Sequence, residues 1–267
     1  MRLAWLIVLV PLAQEKRPPF QAGANDVTFD QSHADLCHPD ELKARFRSKE
    51  DAAPYDVTKE KFRVVVPKSY AHAAKWGLFI YINADDSAGL PAGYEPVLEK
   101  HKLIAVAAYR SGNGRNIFDR FRLAIDASFN LQKRFNVDPS RVYVSGFSGG
   151  GRVASMLAVA YADVFSGGIP FCGVNFYTDI PSEAGKHWPR GYIPVDEALK
   201  IAKSSGRFVL VTGESDFNLK NTKAVFELGF RKEGFKHALL LEVPGLGHAP
   251  PPGEWLQKGL AYLDRPK

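Results

Sequence analysis

The chain has 267 residues, of which 45% are hydrophobic and 24% charged. That balance excludes a disordered or fibrous protein and leaves room for one large α/β domain or two small ones. The net charge of +6 comes from scattered Lys and Arg with no long basic block, which argues against a nucleic-acid partner.

Taken in order, the chain opens on a single positive charge at Arg2, an apolar run from Leu3 to Val10 and a small residue at Ala13. Residues 1–13 therefore read as a signal peptide, predicting a secreted or periplasmic protein. The run is too short to cross a bilayer as a helix, so no membrane span is expected. Residues 14–53, with Pro18 and Pro19, read as a linker and extension. Within it, Asp40 to Lys49 suggests a short helix with Asp40 as N-cap or first-turn acid.

The main domain is expected over residues 54–267. Strands are predicted at Lys61 to Val66, Leu78 to Ile82, Leu103 to Ala108, Val142 to Val144, Gly168 to Cys172, Phe208 to Thr212 and Ala238 to Val243. Several are continuous apolar runs, as in strands buried on both faces of a parallel sheet. Helices are predicted at Glu95 to His101, Asn116 to Phe135, Gly150 to Ala162, Val195 to Ser204, Leu219 to Lys232 and Gly253 to Leu263. Between the first and second of these lies the loop Tyr109 to Arg115, and Val137 to Ser140 reads as a turn. The alternation defines an α/β fold, a mostly parallel sheet with helices on both faces, whose active groups belong in loops at the strand C-termini.

Gly146-Phe147-Ser148-Gly149-Gly150 fits the G-x-S-x-G nucleophile elbow, with a β-branched strand before it and a helix after. Small neighbours let the strand-to-helix turn close so that the serine oxygen stands clear of the sheet. A serine hydroxyl needs a base within reach and a third group to orient that base. Asp216 follows a later strand in Thr212-Gly213-Glu214-Ser215-Asp216, with Glu214 as competitor for the acid role. His248 follows the last strand in Gly245-Leu246-Gly247-His248, while His237 precedes that strand and would lie at the wrong sheet end. The oxyanion donors are expected at Gly149 and at Asp85 or Ala84. A carboxylate beside a developing oxyanion would repel it, so the Asp85 side chain must turn away or be neutralised.

Residues 173–206 read as a small cap-like insertion. Its Phe176, Tyr177 and Trp188 are candidates for substrate contact, or alternatively for the insertion's own small core. Cys37 and Cys172 are the two cysteines, either one disulfide or two separate buried thiols. His33, Cys37 and His38 lack the paired spacing of a zinc site, so no metal is expected there.

From about Lys61 to Leu263 the chain resembles the α/β-hydrolase fold, and within it the esterase branch of polyhydroxyalkanoate depolymerase-like and feruloyl or acetyl-xylan esterase-like proteins. The residues carrying this are Arg141 to Gly151, Gly213 to Asp216, and Gly247-His248. The resemblance implies a Ser148–His248–Asp216 triad, an acyl-enzyme, a small-molecule or polymeric ester substrate and no cofactor. The chain departs from the family at Ile82-Asn83-Ala84, where His-Gly is common. A peptidase or thioesterase with the same triad, and a non-catalytic binding protein of this fold, remain alternatives.

Overall fold

The computed structural model describes residues 20–182 and 185–265. The expected signal peptide lies outside these. Among the described residues the strands are, in chain order, β1 (Gly23–Thr28), β2 (Lys61–Val66), β3 (Trp76–Ile82), β4 (Leu103–Ala108), β5 (Val137–Phe147), β6 (Gly167–Phe171), β7 (Ile180–Pro181), β8 (His187–Trp188), β9 (Arg207–Gly213) and β10 (His237–Val243). The helices are α1 (Pro39–Phe46), α2 (Tyr94–Lys100), α3 (Ile117–Arg134), α4 (Gly149–Ala160), α5 (Asp196–Ser205), α6 (Leu219–Ala224) and α7 (Gly253–Leu263). An eight-stranded sheet runs in the order β1-β2-β4-β3-β5-β6-β9-β10. Only β2 opposes its neighbours; all pairs from β4 to β10 are parallel.

The apolar strands bury both faces because alternate side chains enter separate cores. Leu78, Ile80 and Ile82 of β3 join Val142 and Val144 of β5 under α1, α3 and α4. Phe79 and Tyr81 join Tyr143 of β5 on the other face, under Tyr94 and Leu98 of α2 and Leu256, Leu260 and Leu263 of α7. Each fully buried large apolar side chain contributes roughly 1.5–3 kcal/mol to this packing.

The sheet begins earlier than expected. Residues 23–28 are not linker but an antiparallel edge strand on β2. The stretch carries little apolar signal; cross-strand charge holds it instead. Asp26 accepts from Arg63 at 2.9 Å and pairs with Lys61 at 3.0 Å, and the hydrogen bond from Arg63 is the main cause holding its carboxyl well below the usual range. Helix α1 starts at Pro39 with Asp40 in its first turn, and the cap is His38, whose Nδ1 accepts from the Asp40 N–H. The expected turn at Val137 to Ser140 is a ladder irregularity: Trp76 pairs with Val137 and Leu78 already with Val142. The helix expected over Leu219 to Lys232 changes character midway, α6 passing into a π-helical stretch at Val225–Arg231.

At the N-terminal edge of the parallel strands, Asp264 just beyond α7 gathers three partners. It accepts from Arg141 Nε at 3.0 Å and Tyr143 Oη at 2.8 Å, and meets His101 Nδ1 at 2.8 Å. Arg207 at the start of β9 donates to the Leu263 carbonyl at 2.6 Å and to the Arg265 carbonyl.

Candidate active site

Ser148 stands between β5 and α4 with φ 55° and ψ −117°, in the left-handed region that side chains rarely adopt. Its neighbours make that turn possible. A Cβ at position 146 would lie 2.5 Å from the Ile82 carbonyl oxygen, and one at position 150 would lie 1.9 Å from it. Both contacts are with backbone, so only glycine fits at either place. The Ser148 N–H is anchored on the Phe171 carbonyl of β6 at 2.9 Å. Its Oγ caps no helix N–H and faces the loop after β10 instead.

There His248 Nε2 lies 2.9 Å from Ser148 Oγ, and His248 Nδ1 lies 2.9 Å from Asp216 Oδ1. The Asp216 side chain is fully buried and the imidazole about 24% exposed. Two further donors hold the carboxylate: the Asn218 N–H at 3.0 Å on Oδ1 and Thr212 Oγ1 at 3.2 Å on Oδ2. Of the two carboxylates weighed for the acid role, Asp216 is the one within hydrogen-bond distance of His248. Glu214 is exposed and accepts from the Gly245 N–H at 2.9 Å. The arrangement joins a hydroxyl, an imidazole and a buried carboxylate in one hydrogen-bonded line, the geometry that lets a serine be deprotonated as it attacks.

Behind Asp216 lies a polar scaffold that was not among the expectations above. Arg152, in the first turn of the otherwise apolar α4, donates to Asn218 Oδ1 at 3.0 Å and to the Val174 carbonyl at 3.1 Å. Burial lowers the Arg152 guanidinium from its usual value, and the nearby Asp216 charge opposes that. Asn218 also donates to the Cys172 carbonyl at 2.9 Å. The Asp216-Phe217-Asn218 spacing, an acid followed two residues on by a residue whose N–H it holds, is a turn signature that would have pointed to this scaffold. Cys172 itself is a free buried thiol whose Sγ donates to the Ala249 carbonyl at 3.5 Å. Burial first, and Asp216 second, push it up to about 12. Cys37 is likewise free, its Sγ 3.2 Å from Asp126, so the disulfide alternative is ruled out in this structure. His33 Nδ1 accepts from the Leu36 N–H.

Two of the three aromatic residues expected at the substrate lie in the core. Phe176 is 3% exposed and Tyr177 9%, within a cluster that includes Phe230 and Phe235. Tyr177 Oη donates to Glu233 at 2.9 Å. Trp188 is half-buried on the small β7–β8 hairpin. The aromatic rings actually at the site are Phe147 and Phe217, whose centroids lie 4.9 and 4.1 Å from the His248 ring. Phe217 is 75% exposed, an unusual setting for a phenyl group away from a binding surface.

The loop after β3 borders the other side. Asp85 is exposed, and its Oδ1 accepts from the Ser87 N–H at 2.8 Å, so the carboxylate is occupied within its own turn. Gly149 opens α4, where the first N–H groups have no intrahelical acceptor and the helix dipole is positive.

No family model matches the chain. It is 43% identical to poly(3-hydroxyalkanoate) depolymerase C of Paucimonas lemoignei over 44 residues, 16% of this chain and 11% of that protein. It is 36% identical to feruloyl esterase B of Thermothelomyces thermophilus over 72 residues, 27% of this chain and 25% of that protein. The matches thus span a quarter or less of these curated relatives. Among solved structures, S-formylglutathione hydrolase (FrmB) of Staphylococcus aureus matches with a TM-score of 0.57 at 13% identity, over 76% of this chain and 92% of that one. Sheet order and this likeness together define an α/β-hydrolase fold.

Proposed function

We propose that the protein is a serine hydrolase of carboxylic esters. The observation that carries this reading is the Ser148–His248–Asp216 line, with both hydrogen bonds at 2.9 Å, at the C-terminal edge of the sheet. Ser148 Oγ attacks the acyl carbon while His248 Nε2 takes its proton. Asp216 stabilises the resulting imidazolium and holds the ring by Nδ1. The oxyanion is met by the Gly149 N–H and an N–H of the Ala84–Asp85 loop. As the tetrahedral intermediate collapses, the C–O bond to the alcohol breaks and His248 returns the proton to the leaving oxygen. Water, deprotonated by the same imidazole, then releases the acid from the acyl-enzyme and restores Ser148.

The substrate we infer is an ester of a polymer or of a plant-derived carbohydrate. Its support is the partial likeness to a polyhydroxyalkanoate depolymerase and a feruloyl esterase. The exposed Phe217 beside His248 adds a flat apolar surface suited to an aryl or alkyl group. The apolar run at the N-terminus supports export, which N-terminal sequencing of protein recovered from the medium tests. The activity is tested with Ser148→Ala: hydrolysis of short p-nitrophenyl esters is expected to disappear while the thermal transition stays in place. A variant that retained wild-type turnover would sink the assignment. Parallel assays with thioesters and aminoacyl amides separate an esterase from a thioesterase or peptidase.

A further inference from the structure

The loop after β3 and the loop after β4 are stitched together directly beside Gly149. The Asn113 N–H donates to the Ala84 carbonyl at 2.9 Å, the Arg110 N–H to the Asp86 carbonyl at 2.9 Å, and the Gly112 N–H to Asp86 Oδ1 at 3.1 Å. Beneath them lies Arg120 of α3, 5% exposed. Its Nη2 donates to the Asn83 carbonyl at 3.0 Å and its Nη1 reaches Asn113 Oδ1 at 3.4 Å. A guanidinium has only donors, so the Asn113 atom facing it must be the oxygen. Burial lowers Arg120 to about 10, with the nearby Asp86 opposing that shift, and the group remains a cation at neutral pH.

These contacts fix peptide planes. In a trans peptide the C=O and the following N–H point in opposite directions. Holding the Asn83 carbonyl therefore sets the direction of the Ala84 N–H, and holding the Ala84 carbonyl sets that of the Asp85 N–H. Those are the two N–H groups at which the second oxyanion donor is expected. The same Asn113 side chain also lies against the backbone of Gly149. A Cβ at position 149 would lie 1.8 Å from Asn113 Oδ1 and 2.6 Å from its Cγ. The residue after the nucleophile is free in the elbow pattern; here the carboxamide of Asn113 occupies the space its side chain would need.

We propose that Asn113 and Arg120 are positioning residues of the oxyanion site: the Arg120 guanidinium holds both the Asn83 carbonyl and the Asn113 carboxamide, and that carboxamide packs against the Gly149 backbone, so one chain of side-chain contacts sets the Ala84 N–H and the Gly149 N–H together. The proposal rests on the ester-hydrolase reading and adds to it the device that replaces the family's usual His-Gly loop. Preorganised donors act on the transition state and not on the bound ester. Loss of the clamp therefore lowers kcat and leaves KM nearly alone.

The test is a double-mutant cycle of Asn113→Ala and Gly149→Ala, read by kcat, KM and inhibition by an alkyl boronic acid that forms a tetrahedral adduct on serine. Asn113 is exposed, so its truncation is expected to leave the fold intact, which an unchanged thermal transition checks; Arg120→Lys is a companion that keeps the charge but not the two-pronged contact. Asn113→Ala is expected to lower kcat about 10- to 100-fold and to weaken the boronic acid by the same factor, with KM within about twofold. Gly149→Ala alone is expected to be at least as damaging, because its Cβ expels Asn113. In the Asn113→Ala background it should add little, since the three atoms nearest its Cβ are then gone. An active wild type whose kcat is unchanged by Asn113→Ala, or in which the two effects simply multiply, overturns the proposal alone. A wild type inert towards esters and unlabelled by a fluorophosphonate overturns the ester-hydrolase reading and this proposal with it.

Discussion

Replacing Asp216 with Asn separates the charge of the acid from its geometry. An asparagine that turns its amide N–H towards the imidazole holds the wrong tautomer and costs about 10⁴ in turnover. The surroundings here oppose that flip. The atom at the Oδ1 position faces the Asn218 N–H at 3.0 Å as well as His248 Nδ1, and a backbone N–H demands an acceptor. The amide nitrogen belongs at the Oδ2 position, where Thr212 Oγ1 at 3.2 Å is a hydroxyl that can rotate to accept. His248 therefore keeps its proton on Nδ1, and the loss is electrostatic. A carboxylate about 4 Å from an imidazolium contributes about 4 kcal/mol at an effective dielectric near 20. The neutral hydrogen bond that remains returns about 1 kcal/mol. A net loss of about 3 kcal/mol corresponds to roughly a 10²-fold drop in kcat. Turnover of p-nitrophenyl esters measures the drop, and ¹⁵N NMR of the resting variant reports the tautomer. A loss of 10⁴ accompanied by an Nε2–H imidazole would refute the reasoning.

Two other perturbations read different parts of the molecule. Phe217→Ala removes a ring that is 75% exposed, so stability should change by no more than about 0.5 kcal/mol; KM for aryl esters should rise about 10-fold with kcat at saturation little changed, and a flat KM across an ester panel would remove Phe217 from the binding surface. Asp264→Asn loosens the fastening at the far edge: at pH 7 the transition temperature should fall by about 4–8 °C, for a loss of about 2 kcal/mol in charge-assisted hydrogen bonds. Burial alone would raise the Asp264 carboxyl, but hydrogen bonds from His101, Arg141 and Tyr143 outweigh it and hold the group below its usual range. Stability linked to a lowered carboxylate is complete above the unfolded value near ~3.9 and is lost as pH falls through the folded one. Thermal scans should therefore show the gap between wild type and variant closing below about pH 4; a gap constant to pH 3 would show that Asp264 does not act through its charge.

What could be read in the sequence follows from how local the cause is. Apolar runs named the central strands because burial on both faces leaves an unmistakable composition, and β2 and β4 have the expected limits. Ser148, Asp216 and His248 stood out because each follows a strand and the chemistry restricts their type and order. β1 did not, because an edge strand held by ion pairs needs no apolar period. For Phe176 and Tyr177 two readings stayed open for the converse reason: an aromatic residue has the same letter in a core as on a binding surface, and only packing against Phe230 and Phe235 decides. Asn113 and Arg120 matter through adjacency of β4, β3 and β5, which becomes visible only once the strand order is known. The run of glycines after Ser148 was the one local hint, since Gly149 answers to Asn113 and Gly150 to the Ile82 carbonyl.

The cluster around Asp264 gives the molecule a mechanical polarity. β5 behaves as a strut that carries Ser148 at its tip and is bolted near its base through Arg141 and Tyr143. The same bolt grips the far end of α7, whose near end follows the loop bearing His248. Ser148 and His248 are thus carried on two arms of one frame hinged on a shared anchor. Loops at the tip can lengthen, shrink or exchange aromatic groups while the distance between the arms is set from below.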